Sequence, residues 1–394
     1  MGASVTAVER LLATLDEKGP REGDFPSRWH DERLAARVGL ALGICFGVCF
    51  VTGLLSHLIQ HPGGWFVWPV HPAWLYRVTQ GVHVLTGIAA IPLLLIKLWT
   101  VYPRLYAVPR VRSALHGLER LSVAVLVSAA LFQLVTGLQN IVHWYPWGFS
   151  FPRVHYAVAW VAIGSVVLHI AVKLPAIRRG LTSPAEEAPA EPRPRADGPS
   201  RRWLLAAAAA ASLGAVLATA GQTVPWLRRA SVLAVRTGRG PQGVPVNKTA
   251  AAAGVRRRAT DPGWRLAVTG PGGSLSLSLA ALEAMPQHVV ELPIACVEGW
   301  SASASWRGVR VRDLAEAVGA APDASMRFTS LQTGGLYRVS ELPARHVRAP
   351  ESLVALQVNG EPLNLDHGYP CRLIAPSRPG VLQTKWLSQI EVLP

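Results

Sequence analysis

The chain has 394 residues, enough for two or three domains. Half of its residues are hydrophobic, 16% are charged and the mean hydropathy is +0.26, which is unusual for an entirely soluble protein and predicts a membrane portion. The formal net charge of +15 comes largely from basic residues at the ends of apolar runs, a pattern of membrane topology that argues against nucleic acid as a partner.

Residues 1–33 are polar and mixed in charge, and we expect a cytoplasmic tail there without a cleavable signal peptide, because no apolar core closely follows the basic residues. Apolar runs long enough to cross a bilayer come next, so residues 34–176 are expected to form a four-helix membrane domain. The runs are Ala35–Leu58, Val78–Val101, Leu115–Leu138 and Val154–Leu174. An alanine-rich run, Trp203–Gly221, predicts a fifth, anchoring span over residues 203–222.

The basic residues predict which way the spans run. Arginine and lysine are concentrated in the N-terminal tail, in the loop between the second and third spans, and in the segment after the fourth span. The two other loops carry interfacial aromatic residues instead, namely Trp65, Trp68, Trp74, Trp144, Tyr145 and Trp147. We therefore expect a multi-pass protein of the cytoplasmic membrane with a cytoplasmic N-terminus, in which five spans place residues 223–394 on the outer face.

Residues 177–202 form the expected cytoplasmic linker. From Thr182 to Ser200 the linker is rich in proline, alanine and acidic residues, a composition typical of a disordered tether. It ends in Ser-Arg-Arg-Trp-Leu-Leu at 200–205, which resembles a twin-arginine export signal placed inside the chain. Two arginines are also the ordinary positive flank of a span, so that interpretation stays open beside the export signal, which we favour.

Histidines are concentrated in the apolar part: 8 of the 12 lie between His57 and His169. An ionisable side chain inside a membrane is costly and is therefore a functional candidate. His155 and His169 are 14 residues apart, which on a helix gives about the same face and roughly 21 Å of separation. His83 matches the depth of His155 and His116 matches that of His169, so the pattern predicts two haem sites, each with two axial histidines. His57 is an alternative ligand at the outer site.

This arrangement resembles the four-helix di-haem cytochrome b subunits of formate dehydrogenases and hydrogenases. The positions that match are His83 and the pair His155 and His169. The resemblance implies two haem b groups and electron exchange with a membrane quinone. In that family the fourth ligand comes from the cytoplasmic end of the first span, where this chain has no histidine closer than His30. Either His116, which we favour, or His30 completes the inner site. Hydrogen bonding between helices is the alternative role for these histidines.

After the basic, irregular segment Pro225–Thr260, short alternating apolar runs separated by turn residues predict an α+β domain. The expected strands are Trp264–Thr269, Ser274–Leu279, Val289–Leu292, Arg327–Thr329, Leu353–Val358, Arg372–Ala375 and Ile390–Leu393. The expected helices are Leu279–Ala284 and Val311–Val318. The fold class predicted for the whole chain is therefore an all-α membrane bundle of four haem-binding spans and an anchoring span, followed by an α+β domain.

Within the α+β domain, Pro293–Ser301 reads Pro-Ile-Ala-Cys-Val-Glu-Gly-Trp-Ser, a lone cysteine followed by an acid, a glycine and a tryptophan. Three further blocks follow: Asn359-Gly360-Glu361-Pro362-Leu363, His367-Gly368-Tyr369-Pro370-Cys371-Arg372-Leu373 and Lys385-Trp386-Leu387. Together they resemble the sulfite oxidase superfamily, and most closely its periplasmic methionine-sulfoxide reductase-like branch. True sulfite oxidases continue into an immunoglobulin-like dimerisation domain that is not expected here, which favours the smaller branch.

The resemblance implies that the thiolate of Cys296 binds molybdenum, as a soft ligand for a heavy metal, with the pterin dithiolene and oxygen in the remaining positions. It also implies that the molybdopterin is held by Asn247, His367, Arg372 and Lys385. A buried free cysteine and ordinary surface charges are the alternative interpretations. A disulfide between Cys296 and Cys371 is compatible only with a Cys296 that binds no metal.

These features predict a membrane-bound molybdopterin oxidoreductase that passes electrons between the quinone pool, two b-type haems and an outer molybdenum site. Its expected reaction is the reduction of a small S-oxide or N-oxide with quinol as the electron donor. One alternative is a dehydrogenase of the sulfite type, which oxidises an oxyanion and feeds the quinone pool. Another is an outer domain that has lost its cofactor and only binds a partner.

Overall fold

The computed structural model describes residues 10, 14–25, 27, 29–109, 111–182, 200–238 and 240–393. Residues 183–199, which make up most of the expected tether, and much of the N-terminal tail lie outside the described residues. The chain divides into two compact units. One contains the residues up to Val51 together with His83–Leu217, and the other contains Thr52–Val82 and the chain from Ala218 onward.

Five long helices form the first part of the chain, and each is long and apolar enough to cross a membrane. They are α1 (Glu32–Gln60), α2 (Leu75–Val101), α3 (Ala114–Val142), α4 (Phe151–Thr182) and α5 (Arg201–Thr219). An uncharged apolar segment in lipid satisfies its backbone polar groups by forming a helix, which accounts for these elements. The prediction of five apolar helices is confirmed, and the fifth continues as a 3-10 turn over Ala220–Gln222.

The first unit is held together by small apolar clusters between its helices. Leu34 and Val38 of α1 pack with Leu93 of α2 and with Leu204 and Ala208 of α5. Many other large apolar side chains of these helices point outward and are exposed, including those of Leu115 and Val167. Outward-facing leucine and valine are what helices need when their surroundings are lipid.

The second part of the chain is a mixed α+β fold built on two sheets. Its strands are β1 (Leu266–Gly270), β2 (Gly273–Leu277), β3 (His288–Ala295), β4 (Ser301–Arg310), β5 (Met326–Ser330), β6 (Val339–Leu342), β7 (Leu353–Val358), β8 (Glu361–Pro362), β9 (Arg372–Ile374) and β10 (Leu387–Val392). Short helices lie between them, namely α6 (Arg256–Ala259), α7 (Leu279–Ala284), α8 (Val311–Ala317) and α9 (Ala344–Val347). The predicted α+β class is confirmed.

One sheet has the order β2-β1-β10-β5-β6, in which β1 and β10 run parallel. The other has the order β3-β4-β7-β8, and β9 also pairs with β7. The first sheet packs its apolar side chains with α7 and α8 in a core that contains Leu266, Leu282 and Phe328. The second sheet has its own core around Trp306 and Ile294. This second sheet carries the cysteine motif.

The sequence analysis missed three strands, β4, β6 and β8. β4 is the longest of them and reads Ser-Ala-Ser-Ala-Ser-Trp-Arg-Gly-Val-Arg, so its first half contains only small residues with little strand preference. It becomes a strand because it pairs along the whole of β3 on one side and with β7 on the other. Its buried alanines pack in the core of the second sheet. Tertiary pairing therefore decides its conformation.

Candidate active site

Cys296 begins a five-residue loop between two paired strands. β3 and β4 are in register up to Ala295 opposite Ser301, so residues 296–300 make the connection. The loop is closed by two backbone hydrogen bonds, from Cys296 N to the Trp300 carbonyl (2.9 Å) and from Gly299 N to the Cys296 carbonyl (3.0 Å). Gly299 has φ of +91°, in the left-handed region where glycine avoids a Cβ clash. The glycine of the motif is thus explained by the turn.

The thiol of Cys296 is buried, with 1% of the residue exposed. Burial is the main cause that raises its pKa well above the ordinary value, and the nearby carboxylate of Glu298 adds to it. The cationic groups of Arg236 and Lys385 act in the opposite direction. A metal cation held at this loop would supply the positive charge that stabilises a thiolate, so the buried thiol of Cys296 could serve as its ligand.

No disulfide competes for this thiol. All four cysteines are among the described residues and each is a free thiol. Cys371 is buried in the core of the first sheet, whereas Cys296 belongs to the core around the second sheet. Burial also raises the pKa of the Cys371 thiol, so it is a small apolar core residue.

Glu298 ties the cysteine loop to the segment that precedes the sheets. Its carboxylate accepts a hydrogen bond from Trp300 Nε1 (3.1 Å) and lies 3.5 Å from Nη1 of Arg236. Arg236 in turn donates to the carbonyl of Val246. Burial raises the pKa of Glu298 to about 7, although Arg236 and Trp300 act to lower it. The sequence analysis assigned no role to Arg236, which lies in a segment without a recognisable motif.

The four residues predicted to bind the cofactor line one crevice. Asn247, His367, Arg372 and Lys385 share its wall with Pro245, Ile294, Trp300 and Gly380. Since Ile294 and Trp300 lie on either side of Cys296 in the chain, the crevice lies beside the cysteine loop.

Lys385 joins two chain segments at this crevice. Its ammonium group donates to Asn247 Oδ1 (3.1 Å), to the Lys248 carbonyl (2.6 Å) and to the Asp366 carbonyl (2.9 Å). An ammonium has three donors, so these acceptors engage all of them. Burial lowers the pKa of Lys385 to about 7, and the charge of Arg372 adds to this effect. Lys385 therefore holds the wall of the crevice in place.

Arg372 brings a buried positive charge to the same wall, with 3% of the residue exposed. Its Nη1 donates to the His367 carbonyl (2.9 Å), its Nη2 donates to the Gln383 carbonyl (3.2 Å), and its guanidinium lies 5.3 Å from the ring centre of Trp306. Among the described residues, its Nε has no hydrogen-bond partner and no carboxylate pairs with it. Burial lowers its pKa to about 9, which leaves it cationic at neutral pH. An uncompensated buried guanidinium with an unused donor fits an anionic ligand such as a pterin phosphate.

His367 is neutral and is engaged with the backbone. Burial lowers its pKa to about 4, and its Nε2 lies 2.7 Å from the carbonyl of Pro241, to which the neutral ring donates. His367 therefore fixes the position of the segment around residue 241 against the crevice. Together with the buried thiol and the unused donor of Arg372, the residues present fit a molybdopterin.

In the first unit, His83 and His155 lie side by side. Their ring centres are 6.4 Å apart, with an angle of 74° between the planes. Two imidazoles on opposite sides of one metal ion, each bonded at about 2 Å, would have ring centres roughly 6 Å apart. Nδ1 of His83 lies 2.9 Å from the Cys49 carbonyl, and Nδ1 of His155 lies 3.4 Å from Thr136 Oγ1. Such contacts orient imidazoles that bind a metal through Nε2.

His116 and His30, the two candidates for the second ligand of the inner haem, differ in their surroundings. His116 and His169 both lie close enough to the carboxylate of Glu119 to interact with it electrostatically, and Nδ1 of His116 accepts a hydrogen bond from the backbone of Arg112 (3.2 Å). His30 is bonded through Nδ1 to the Phe25 carbonyl (2.8 Å). Within the described residues no cluster of three or more histidine, cysteine or carboxylate side chains forms a metal site.

The family comparison concerns the second part of the chain. Residues 252–394 match the family model described as the oxidoreductase molybdopterin binding domain. Mitochondrial sulfite oxidase of Mus musculus is 33% identical over 33% of this chain and 29% of its own length. The uncharacterized oxidoreductase YuiH of Bacillus subtilis is 34% identical over 32% of this chain and 64% of its own length. The chain thus spans less than two thirds of these relatives.

Among solved structures, the sulfane dehydrogenase SoxCD from Paracoccus pantotrophus has 20% sequence identity and a TM-score of 0.31, over 33% of this chain and 38% of that chain. The family model covers the cysteine loop and the blocks that contribute His367, Arg372 and Lys385 to the crevice. Residues 252–394 therefore match the oxidoreductase molybdopterin binding domain, and the chain is similar over about a third of its length to sulfite oxidases.

Proposed function

We propose that this protein is a membrane-bound oxidoreductase that reduces an S-oxide or N-oxide at a molybdenum site, with electrons supplied by quinol through two b-type haems. The observation that carries the proposal is the buried thiol of Cys296 beside a crevice lined by Asn247, His367, Arg372 and Lys385. The reaction consumes two electrons and two protons for each oxide and releases the reduced compound and water.

Each residue of the site has a separate role in holding the cofactor. Cys296 supplies the thiolate ligand, and the loop hydrogen bonds keep that ligand in one position. Arg372 binds the anionic end of the pterin through its unused Nε donor. Lys385 holds Asn247 and the backbone near it, so that the wall of the crevice stays in place when the cofactor binds. When bound, the cofactor supplies two-electron oxygen-atom transfer chemistry.

The charges around the thiol favour a neutral oxide over an anion such as sulfite. The two cationic groups that act on Cys296 are already engaged by protein acceptors. Arg236 pairs with Glu298, and Lys385 donates to three oxygens. An oxyanion substrate would need at least one of these cations to give up its partners, whereas a neutral S-oxide needs only hydrogen-bond donors.

The histidine pair of the first unit supports the haem proposal. The separation of 6.4 Å between the ring centres of His83 and His155 suits two axial ligands of one haem iron. We assign the second haem to His169 with His116, for which His30 is the alternative partner. A molybdenum centre needs an electron partner, and haems in the same chain would connect it to a membrane quinone.

Ion pairs in the first unit support the proposed topology. Glu32, at the start of α1, pairs with Arg104 after α2, and Asp31 pairs with Arg201 at the start of α5; both N–O distances are 3.2 Å. The N-terminal tail, the loop before α3 and the start of α5 are therefore at the same end of the bundle. We propose that this end is cytoplasmic, as the basic residues suggest, and that Arg201 and Arg202 also belong to a twin-arginine export signal.

The proposal is tested by visible spectroscopy of the purified, molybdenum-loaded protein. The haem bands are first reduced without oxygen, and a panel of sulfoxides and N-oxides is then added; in parallel, sulfite is added to oxidised protein. We expect reoxidation by at least one oxide and no haem reduction by sulfite. Reduction by sulfite alone would establish the dehydrogenase, and absence of haem bands would refute the electron pathway.

A further inference from the structure

The outer ends of α1 and α2 and the loop that joins them belong to the same compact unit as the molybdopterin domain. Trp68 in this loop donates its indole hydrogen to the Ser377 carbonyl (2.7 Å), and Ser377 N donates to the Ala73 carbonyl (3.0 Å). Arg77 of α2 donates to Ser303 Oγ of β4 (3.1 Å). These contacts join residues more than 200 positions apart in the sequence. The helix ends are thus built into the domain that carries Cys296.

A chain of hydrogen bonds begins at α2 and reaches the cysteine loop. Tyr76 is 1% exposed, and its hydroxyl lies 3.1 Å from Ser56 Oγ of α1 and 3.4 Å from Gln80 Oε1. The side-chain amide of Gln80 donates to the carbonyl of Val297 (3.0 Å), the residue that follows Cys296. One turn of α2 therefore connects a buried phenol to the loop that presents the thiol.

The same chain continues to a second phenol. Gln60 donates to the Ser56 carbonyl (3.0 Å) and accepts the hydroxyl hydrogen of Tyr337, in the loop between β5 and β6, at 2.8 Å. Tyr76 and Tyr337 pack in one apolar cluster with Ala295, the residue that precedes Cys296. Both rings lie close enough to Cys296 for their hydroxyls to interact electrostatically with the thiol.

Packing alone does not require hydroxyl groups at these positions. The cluster is otherwise apolar and includes Ile59, Leu382 and Phe66, where phenylalanine would bury as much carbon without a polar atom to satisfy. Instead, each of the two apolar helices carries a pair of polar side chains four residues apart. They are Ser56 and Gln60 on α1, and Tyr76 and Gln80 on α2. These side chains hold the two phenol hydroxyls in position by hydrogen bonds. Burial raises the pKa of Tyr337 to about 12, so its hydroxyl remains a donor at neutral pH.

We propose that Tyr76 of α2 and Tyr337 form a pair of hydrogen-bond donors beside Cys296 that binds the oxygen atom of the oxide substrate, so that an apolar helix completes the substrate pocket. This inference rests on the proposed function. The oxygen of an S-oxide or N-oxide only accepts hydrogen bonds, and two neutral phenols only need to turn from their glutamine or serine partners to donate to it. Gln60 and Gln80 are positioning residues that hold the phenols when no substrate is present.

The test compares Tyr76→Phe and Tyr337→Phe with wild-type protein loaded with molybdenum and reduced by quinol. Each variant is expected to lower kcat/KM for the oxide about tenfold, mainly through KM, as expected for one lost hydrogen bond to the substrate. Binding of dimethyl sulfone, whose oxygens accept the same hydrogen bonds, is measured by calorimetry as a readout independent of turnover and is expected to weaken by a similar factor. Tyr106→Phe, in the first unit, is the matched control.

Molybdenum content and the thermal midpoint are measured for every variant. If the wild type is active and both variants keep its kcat/KM and its sulfone binding, the phenols do not bind the substrate oxygen. That result would overturn this inference and leave the proposed function unaffected. Loss of molybdenum from Tyr76→Phe would assign that residue to holding the cofactor loop and overturn its role in substrate binding. Wild-type protein that holds molybdenum yet reduces no oxide would overturn both proposals together.

Discussion

Glu298 makes the stability of the cysteine loop depend on pH. Burial raises its pKa from 4.5 to about 7 in the folded protein, whereas in an opened loop the carboxyl returns to its ordinary value. Between these pH values the folded form binds a proton that the open form has released, so the free energy of opening falls as pH rises. At about 1.4 kcal/mol per pKa unit, the closed loop loses about 3 kcal/mol between pH 4.5 and pH 7.

The variant Glu298→Gln removes this dependence. Glutamine has the shape of the protonated acid and still accepts the hydrogen bond from Trp300, so the variant and wild type should match near pH 5. Above pH 7 the loop of the variant should be more stable, by up to about 3 kcal/mol, or roughly a hundredfold in the equilibrium between closed and open forms. If the loop opens only partly, the pKa of Glu298 returns only part of the way to its ordinary value. The difference in loop stability between the variant and wild type is then smaller.

Hydrogen exchange of cofactor-free protein measures the effect directly, because the amides of Cys296 and Gly299 close the loop. After correction for the intrinsic exchange rate, protection of these amides should fall from pH 5 to pH 8 in wild type and stay level in Glu298→Gln. Amides of β10, which belongs to the other sheet, serve as the internal control. Equal slopes in the two proteins would refute the reasoning.

Three further predictions concern the cofactors. Cys296→Ser should abolish turnover, with haem absorbance unchanged; retained activity would refute the molybdenum assignment. Arg372→Met should lower the ratio of molybdenum to protein several-fold, because the buried donor for the anionic end of the pterin is lost, whereas the exposed Arg307→Met should leave the ratio unchanged. His155→Ala should remove one haem of two, measured by the pyridine haemochrome assay and by loss of one redox transition; unchanged haem content would contradict the assignment.

Composition and local motifs predicted the parts of the fold that depend on local properties. Five apolar runs gave helices because an uncharged run of that length has few alternatives in lipid. The motif around Cys296 predicted the residue at the loop, and two of the three later blocks pointed to His367, Arg372 and Lys385, which line one crevice in the structure. Whether these residues bind the cofactor stays a prediction.

The parts that were missed depend on distant contacts. β4 contains Ser and Ala where strands usually contain branched residues, and its pairing with β3 and β7 is not visible in its own sequence. Tyr76 at the end of an apolar run resembles the aromatic residues of a membrane interface. Its place beside Cys296 depends on contacts across more than 200 residues. The signal available was the polar pairs spaced by four on two apolar helices, at 56 and 60 and at 76 and 80.

The bond network of Lys385 has a consequence for how the protein is made. Lys385 connects Asn247 and Lys248 to Asp366, and the next strand, β10, is the parallel partner of β1. A nascent chain still lacking residues 385–392 therefore has neither a closed crevice nor a complete first sheet, although its apolar helices have long left the ribosome. Closure of the crevice must therefore wait until residues 385–392 have been synthesised, well after the five apolar helices, so the two parts of the fold are completed at different times.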